Sequence, residues 1–280
     1  MNSKKSFSPW WVNPAGPQNL EIYRWATLDS SHTLAQSWVE NDSAFHVKNP
    51  LLSGSLKAPI GELSTDAWIW MCGQMQPLAR GQGSKVFFAP LGGLYATLVC
   101  LWPNLSTSPP LSLLTALAVA EVLDPSCTLK WINDVYLGDK KLGGVLIHRY
   151  LDGDWTTCVI SMGLNINTTH LCTPEHYPIA SLAQHTGHTL DLSKVSSDIR
   201  KRLGMHYSET IALGGEMSAP TCASINSRLG EYGKKVLCTT PFGTTVGLCQ
   251  GVAPSGRIIL DSGKEYDAIS LCVLDKNGVE

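Results

Sequence analysis

The period of hydrophobic and polar positions changes several times along this chain, and each change marks an element. Tyr23-Arg24-Trp25-Ala26 reads as a strand. Ser30-Ser31 then reads as the cap of a helix reaching about Glu40, with Leu34, Trp38 and Val39 inward, because a short hydroxyl side chain accepts from the free N–H groups of a first turn. Residues 41–66 are rich in Pro, Gly and Ser and read as a long insertion. Residues 67–75 look like a buried strand, Val86-Phe87-Phe88 begins another, and residues 94–102 continue the sheet. Pro109-Pro110 precede Leu111, Leu114, Leu117, Ala118 and Val122, whose spacing predicts a helix with one face buried against that sheet.

A hairpin follows. Val135-Tyr136-Leu137 and residues 142–147 alternate or run apolar, and Gly138-Asp139 between them is a two-residue turn of the glycine-first kind. Cys158-Val159-Ile160-Ser161-Met162-Gly163 is a further apolar strand, and residues 191–216 are mostly helical. Strands and helices thus alternate around one sheet, an α/β or α+β arrangement of layers. After residue 232 the pattern turns to short strands with Gly, Pro and Ser turns, at Val236-Leu237-Cys238 and over residues 244–250, 257–260 and 269–274. That spacing predicts a small antiparallel barrel. Residues 3–19, with three prolines and a glycine, read as an extended tail.

The chemistry is concentrated on the hairpin. Lys130-Trp131-Ile132-Asn133-Asp134, then Lys141-Leu142-Gly143-Gly144-Val145, string together two cations, an amide, a carboxylate and a glycine pair. Glycines inside a strand weaken it unless something approaches the backbone, and a small anionic ligand is the natural suspect. Lys141 should face the site, and Lys140 beside it should point the other way. Asn133 and Asp134 suit a nucleotide triphosphate with Mg²⁺, or an ordinary Asn-Asp turn. Upstream, Arg80-Gly81-Gln82-Gly83-Ser84-Lys85 has a cation at each end and glycines that free backbone N–H groups to face an anion. It is neither a Walker A loop nor a dinucleotide fingerprint. Trp131 reads as core packing.

Composition narrows the function classes. With 280 residues the chain has core enough for a large domain and a small one. A formal net charge of −2 argues against nucleic-acid binding through a broad basic surface. Nine cysteines without a C-x-x-C pair fit a reducing compartment. His185-Thr186-Gly187-His188 reads as loop, and no zinc spacing occurs. No secretory signal is visible, and the apolar stretch over residues 111–123 is too short to span a bilayer, so a cytoplasmic protein without membrane attachment is expected, with a mitochondrial address left open.

The wording Lys-Trp-x-Asn-Asp-x-Tyr followed by Lys-Leu-Gly-Gly resembles the signature of biotin protein ligases, including the holocarboxylase synthetases. Asp29-Ser30-Ser31, Gln76 with the loop from Arg80, and Gly163-Leu164-Asn165 fall in the family's order. The resemblance implies a class II synthetase-like catalytic domain, its mixed or antiparallel sheet flanked by helices, followed by a small SH3-like barrel. The boundaries become a tail over 1–19, a catalytic domain over 20–230 and a small domain over 231–280. It also implies the activity: biotin and ATP, with Mg²⁺, form biotinyl-5′-AMP, and biotin passes to a lysine of the carrier domain of acetyl-CoA carboxylase or a related carboxylase. Lys141 and Arg80 would be catalytic. Ser30, Ser31, Gln76, Arg80, Gly81, Gln82, Lys141, Gly144, Ser161 and Gly163 would meet biotin, and Lys85, Lys130, Asn133, Asp134, Lys141 and Asn165 would meet ATP. No directly bound metal beyond Mg-ATP is expected.

The chain departs from the family pattern at Ala79, Gln82 and Ser84, where the family usually has glycine, arginine and glycine, and at His32, where it usually has asparagine. A monomer or weak dimer is expected. Specific DNA binding is not, since about twenty residues before the first strand are too few for a helix-turn-helix. Two other readings stand beside this one: a lipoate or octanoate ligase of the same fold, and a non-catalytic biotin- or nucleotide-binding relative.

Overall fold

The computed structural model describes residues 19–27, 29–41, 67–81, 87–104, 110–152, 155–169, 178–275 and 278–279. The tail, the insertion over 42–66, and Gln82, Ser84 and Lys85 of the glycine loop lie outside the described residues. In chain order the elements are β1 (Asn19–Thr27), α1 (Ser31–Asn41), β2 (Ala67–Met75), β3 (Leu94–Pro103), α2 (Leu111–Leu123), β4 (Cys127–Lys130), β5 (Asp134–Leu137), β6 (Lys140–Asp152) and β7 (Trp155–Leu164). Then come α3 (Leu182–Thr186), α4 (Leu192–Ala212), α5 (Ala219–Arg228) and the strands β8 (Lys235–Thr240), β9 (Gly243–Val252), β10 (Ile258–Leu260), β11 (Glu265–Tyr266), β12 (Ser270–Asp275) and β13 (Gly278–Val279).

The first seven strands form one sheet in the order β1-β2-β3-β7-β6-β5-β4. Only β1 and β2 run parallel, which is the mixed sheet the sequence implied. Its inner strand β3 is buried along its whole length. One face of β3, with Ala96, Leu98, Cys100 and Trp102, joins the main core. There the Trp102 ring meets Tyr207 of α4 edge-on, centroids 5.2 Å apart. Thr97, on the other face, reaches the start of α1. Ser30 caps α1 as expected, its Oγ accepting from the Thr33 N–H at 3.2 Å.

The helix α2 differs from the expectation. The spacing predicted one buried face, yet every residue from Leu113 to Ala120 is buried. The reason is a second cover: α4 packs on the side away from the sheet, so an all-round apolar helix is what the layer requires. A second difference lies at Phe87-Phe88, which do not form a strand; their neighbour Ala89 makes a single bridge to Gln76. Likewise His185 closes the short helix α3, which ends on Gly187 at φ 79°, and is not in a plain loop.

The last six strands form a second, antiparallel sheet in the order β11-β10-β9-β8-β12-β13. The core runs without a break from the first sheet into Val236, Cys238, Ile258 and Leu260 of the second. The connection is also stitched by backbone, since Gly230 N–H donates to the Leu129 carbonyl at 2.8 Å. No helix among the described residues is long and apolar enough to cross a membrane.

Candidate active site

Strand register builds the site. Tyr95 is the cross-strand partner of Gly163, Gly163 of Gly144, Gly144 of Asp134, and Asp134 of Lys130. Cross-strand partners share a face, so these five residues form one row across β3, β7, β6, β5 and β4, about 19 Å at 4.8 Å per strand. A neighbouring row holds Thr97, Ser161 and Leu146. Glycines in the middle of the first row leave the sheet surface bare, and above it lies a cavity of about 370 Å³.

The two glycines of the hairpin serve different ends. A Cβ on Gly144 would lie 2.6 Å from Asp134 Oδ1 and 3.4 Å from Lys141 Nζ, so this glycine keeps room for an ion pair in the cavity. Gly143 is not explained by a ligand, contrary to the sequence reading. Its Cβ would meet the Gly163 carbonyl oxygen at 2.2 Å, so the neighbouring strand requires it. Gly163 in turn carries the Phe87 ring, 2.7 Å from where its Cβ would be.

Lys141 and Asp134 meet at 2.6 Å, and both line the cavity. A bulge in the hairpin between Val135 and Tyr136 sets Lys141 opposite Tyr136, on the same face as Asp134. The backbone of Lys141 is fixed from the far side: its N–H donates to Pro178 O and its carbonyl accepts from Ala180 N, both at 2.9 Å. Lys140 is exposed, as expected. Lys130 is exposed at the cavity's edge, its ammonium 5.5 Å above the Tyr136 ring.

Asn133 does structural duty as well, because its Nδ2 donates to the Val145 carbonyl at 2.8 Å and closes the hairpin base. Asp134 Oδ1 and Asn165 Oδ1 are buried and without a partner among the described residues. Both are acceptors in the cavity wall, and a buried acceptor left empty is costly unless a ligand fills it. Asp134 Oδ1 fits Mg²⁺, which takes one or two carboxylates and draws its other oxygens from phosphate and water. No cluster of three or more His, Cys, Asp or Glu side chains suited to a metal ion occurs among the described residues.

The other end of the cavity is polar and uncharged. Gln76 is buried, donates from Nε2 to the Tyr95 carbonyl at 3.1 Å, and accepts from the Ser31 N–H at 2.9 Å. Ser31, Thr97 and Ser161 lie in hydroxyl contact at 2.8 and 2.7 Å, and His32 Nδ1 is 2.7 Å from Ser161 Oγ. Burial, with the nearby His148 and Arg80 charges adding to it, lowers the His32 pKa to about 4, so the ring is neutral at pH 7. Arg80 and Gly81 also line the cavity. The two ends of that loop are held together by the Phe87 N–H, which donates to the Ala79 carbonyl at 3.0 Å.

The structure therefore brings Ser30, Ser31, Gln76, Arg80, Gly81, Lys130, Asn133, Asp134, Lys141, Gly144, Ser161, Gly163 and Asn165 into one cavity. Gln82 and Lys85, expected at biotin and ATP, lie outside the described residues. Tyr95, Phe87, Tyr136 and Ile179 also line it and were missed. Register from Gly163 would have found Tyr95. Nothing local marks Ile179, which a bridge to Lys141 brings in from a distant segment. Trp131 is buried, in keeping with a packing role.

Comparison with known proteins fits this arrangement. Residues 73–167, which carry most of the cavity wall, match the model of the biotin/lipoate A/B protein ligase family. The match covers about a third of the chain. A biotin--[acetyl-CoA-carboxylase] ligase of Paracoccus denitrificans is 24% identical over 204 residues, covering 68% of this chain and 83% of that protein. The bifunctional ligase/repressor BirA of Escherichia coli is 36% identical over 118 residues, 38% of this chain and 35% of its own length. The BirA of Bacillus subtilis is 26% identical and is covered over 60% of its length, so the chain spans under two thirds of several such relatives. Among solved structures, a biotin protein ligase from Aquifex aeolicus in complex with biotin and ATP aligns with TM-score 0.63 at 20% identity, over 94% of both chains. At that identity the likeness establishes the α+β fold alone, its antiparallel sheets flanked by helices.

Proposed function

We propose that this protein is an ATP-dependent biotin protein ligase that forms biotinyl-5′-AMP and transfers biotin to a lysine of a carboxylase carrier domain. The observation that carries the reading is the division of one cavity into a neutral hydrogen-bonding end, with Ser31, Gln76 and Ser161, and a charged end, with Lys130, Asp134 and Lys141. The first end suits a cyclic urea, and the second suits a carboxylate meeting a triphosphate.

In the first half-reaction a biotin carboxylate oxygen attacks the α-phosphorus of ATP and pyrophosphate leaves. Lys141 offsets the repulsion between the two anions, and its charge is worth more in the transition state, where negative charge grows on the phosphoryl oxygens. Asp134 orients that ammonium through their ion pair. Arg80, at the mouth of the glycine loop, would grip carboxylate or phosphate with paired hydrogen bonds. Asn165 Oδ1 offers the nucleotide an acceptor. Mg²⁺, held by Asp134 and the phosphates, would supply charge neutralisation at the triphosphate. In the second half-reaction the acceptor lysine's neutral amine attacks the acyl carbon, the amide forms and AMP leaves. The small β sheet over 231–280 is read as a separate domain, and the protein as cytoplasmic.

The lipoate or octanoate alternative is disfavoured by the hydroxyl and amide wall. A dithiolane or alkyl head has neither an N–H nor a carbonyl to hydrogen-bond with that wall, and each bond so forgone is worth about 0.5–1.5 kcal/mol. Exchange of labelled pyrophosphate into ATP, with biotin, with lipoate and with neither, tests the reading. Exchange with biotin alone is expected; exchange with lipoate alone, or with neither, overturns it.

A further inference from the structure

The hydroxyl chain at the neutral end has a direction, and protons can be counted along it. Each hydroxyl has one proton. Thr97 Oγ1 gives its proton to Ser31 Oγ at 2.8 Å. The 2.7 Å contact between Thr97 and Ser161 must then use the proton of Ser161. That leaves the 2.7 Å contact between Ser161 and His32 Nδ1 with no hydroxyl proton, so the ring must donate there. A neutral imidazole that donates from Nδ1 has no proton on Nε2. Nε2 is buried without a partner among the described residues, so no acceptor there competes with Ser161 for the ring proton.

The direction decides what the wall shows to a ligand. Ser31 Oγ accepts from Thr97 and from Gln76 Nε2 at 3.1 Å. Its own proton is held only by Gln76 Oε1, at 3.3 Å. Ser161 accepts from His32, donates to Thr97, and keeps one lone pair. Both residues line the cavity, so the proton that Ser31 lends to Gln76 over 3.3 Å and the spare lone pair of Ser161 are what this wall can offer a ligand. This is the complement of a carbonyl beside an N–H, the edge of a cyclic urea. With the chain reversed, Ser31 would give its proton to Thr97 and Ser161 its own to His32 Nδ1, and the wall would have no hydroxyl proton left for a ligand.

We propose that His32 is a positioning residue that determines substrate specificity: its Nδ1–H sets the direction of the Ser161, Thr97 and Ser31 hydroxyls so that the wall matches a cyclic urea. The proposal rests on the ligase reading. His32→Leu, which removes the donor, raises the KM for biotin roughly tenfold, the scale of one neutral hydrogen bond, and leaves the KM for ATP unchanged in pyrophosphate exchange. His32→Asn, whose side-chain NH₂ can donate to Ser161, restores the biotin KM to within a factor of three.

A leucine variant that folds and keeps the wild-type biotin KM overturns the role of His32 alone, as does an asparagine variant no better than leucine. Wild-type protein with no biotin-dependent exchange overturns the ligase reading, and this one with it. A second measurement needs no variant. Nitrogen-15 NMR of the wild-type imidazole should show the proton on Nδ1 at pH 7, and a ring protonated on Nε2 alone refutes the assigned direction.

Discussion

The carboxylate of Asp134 reaches the ammonium of Lys141 at 2.6 Å, although the two are not cross-strand partners: Asp134 stands opposite Gly144, and Lys141 opposite Tyr136. The pair is diagonal, and it exists because Gly144 carries no side chain between its members. The lysine side chain is 34% exposed and the aspartate 20%, so the pair contributes little to stability, and its effect is on where the ammonium points.

Lys141→Ala should therefore abolish adenylate formation while the protein stays folded. The expected change in stability is about 1 kcal/mol or less. Pyrophosphate exchange and a thermal melt together check this. Exchange at near wild-type rate would remove Lys141 from its assigned role.

Gly144→Ala tests the diagonal geometry without changing any charge. The added methyl would sit 2.6 Å from Asp134 Oδ1, so the carboxylate must move and the ammonium must follow it. We expect a fall in kcat for adenylation of about tenfold or more, equivalent to roughly 1.4 kcal/mol of transition-state stabilisation. An alanine variant with unchanged kcat would show that the position of this ion pair does not matter to the chemistry.

Much of this site was legible in the sequence, because the lysines, the carboxylate and the glycine pair are close in the chain and a hairpin carries them. The hydroxyl end was less so. Ser31, Thr97 and Ser161 come from α1, β3 and β7, and only the register that pairs Thr97 with Ser161 brings them together. Spacing along one strand contains no information about its neighbour. The same limit explains α2, whose apolar periodicity indicated a helix but could not reveal that α4 covers its outer side. Gly143 was misread for a related reason, since the atom that excludes a side chain there belongs to Gly163, on another strand.

His32 should make stability depend on pH. Its folded pKa of about 4 lies below the ordinary 6.5, owing to burial and then to the His148 and Arg80 charges. Above pH 6.5 the ring is neutral in both states and contributes no pH dependence. Between 6.5 and 4 the unfolded chain binds a proton that the native ring refuses, so stability falls as the pH falls, by about 3 kcal/mol at about 1.4 kcal/mol per unit. Denaturant unfolding of wild type and His32→Asn across this window is the check. Equal slopes in the two proteins would mean that His32 is not the group responsible.

Glu231 gives a pH effect of the opposite sign. It is 1% exposed, where the chain passes from α5 to β8, and one carboxylate oxygen accepts from the Trp131 N–H at 3.1 Å. The other oxygen is buried without a partner among the described residues. Burial raises its pKa above the usual carboxylate value, despite the backbone N–H groups and nearby lysines that favour the charge. A carboxyl with a raised folded pKa is at no disadvantage below its unfolded pKa, where both states are protonated. As the pH rises past that point, the unfolded chain ionises more readily and the native state loses stability. Glu231→Gln retains an acceptor for the Trp131 N–H and removes the ionisation. The variant should thus match wild type near pH 4 and be the more stable of the two at pH 8, with pyrophosphate exchange little changed. A glutamine variant less stable than wild type at pH 8 would show that the charge of Glu231, through Lys130 and Lys234, is what holds the Trp131 segment against the second sheet.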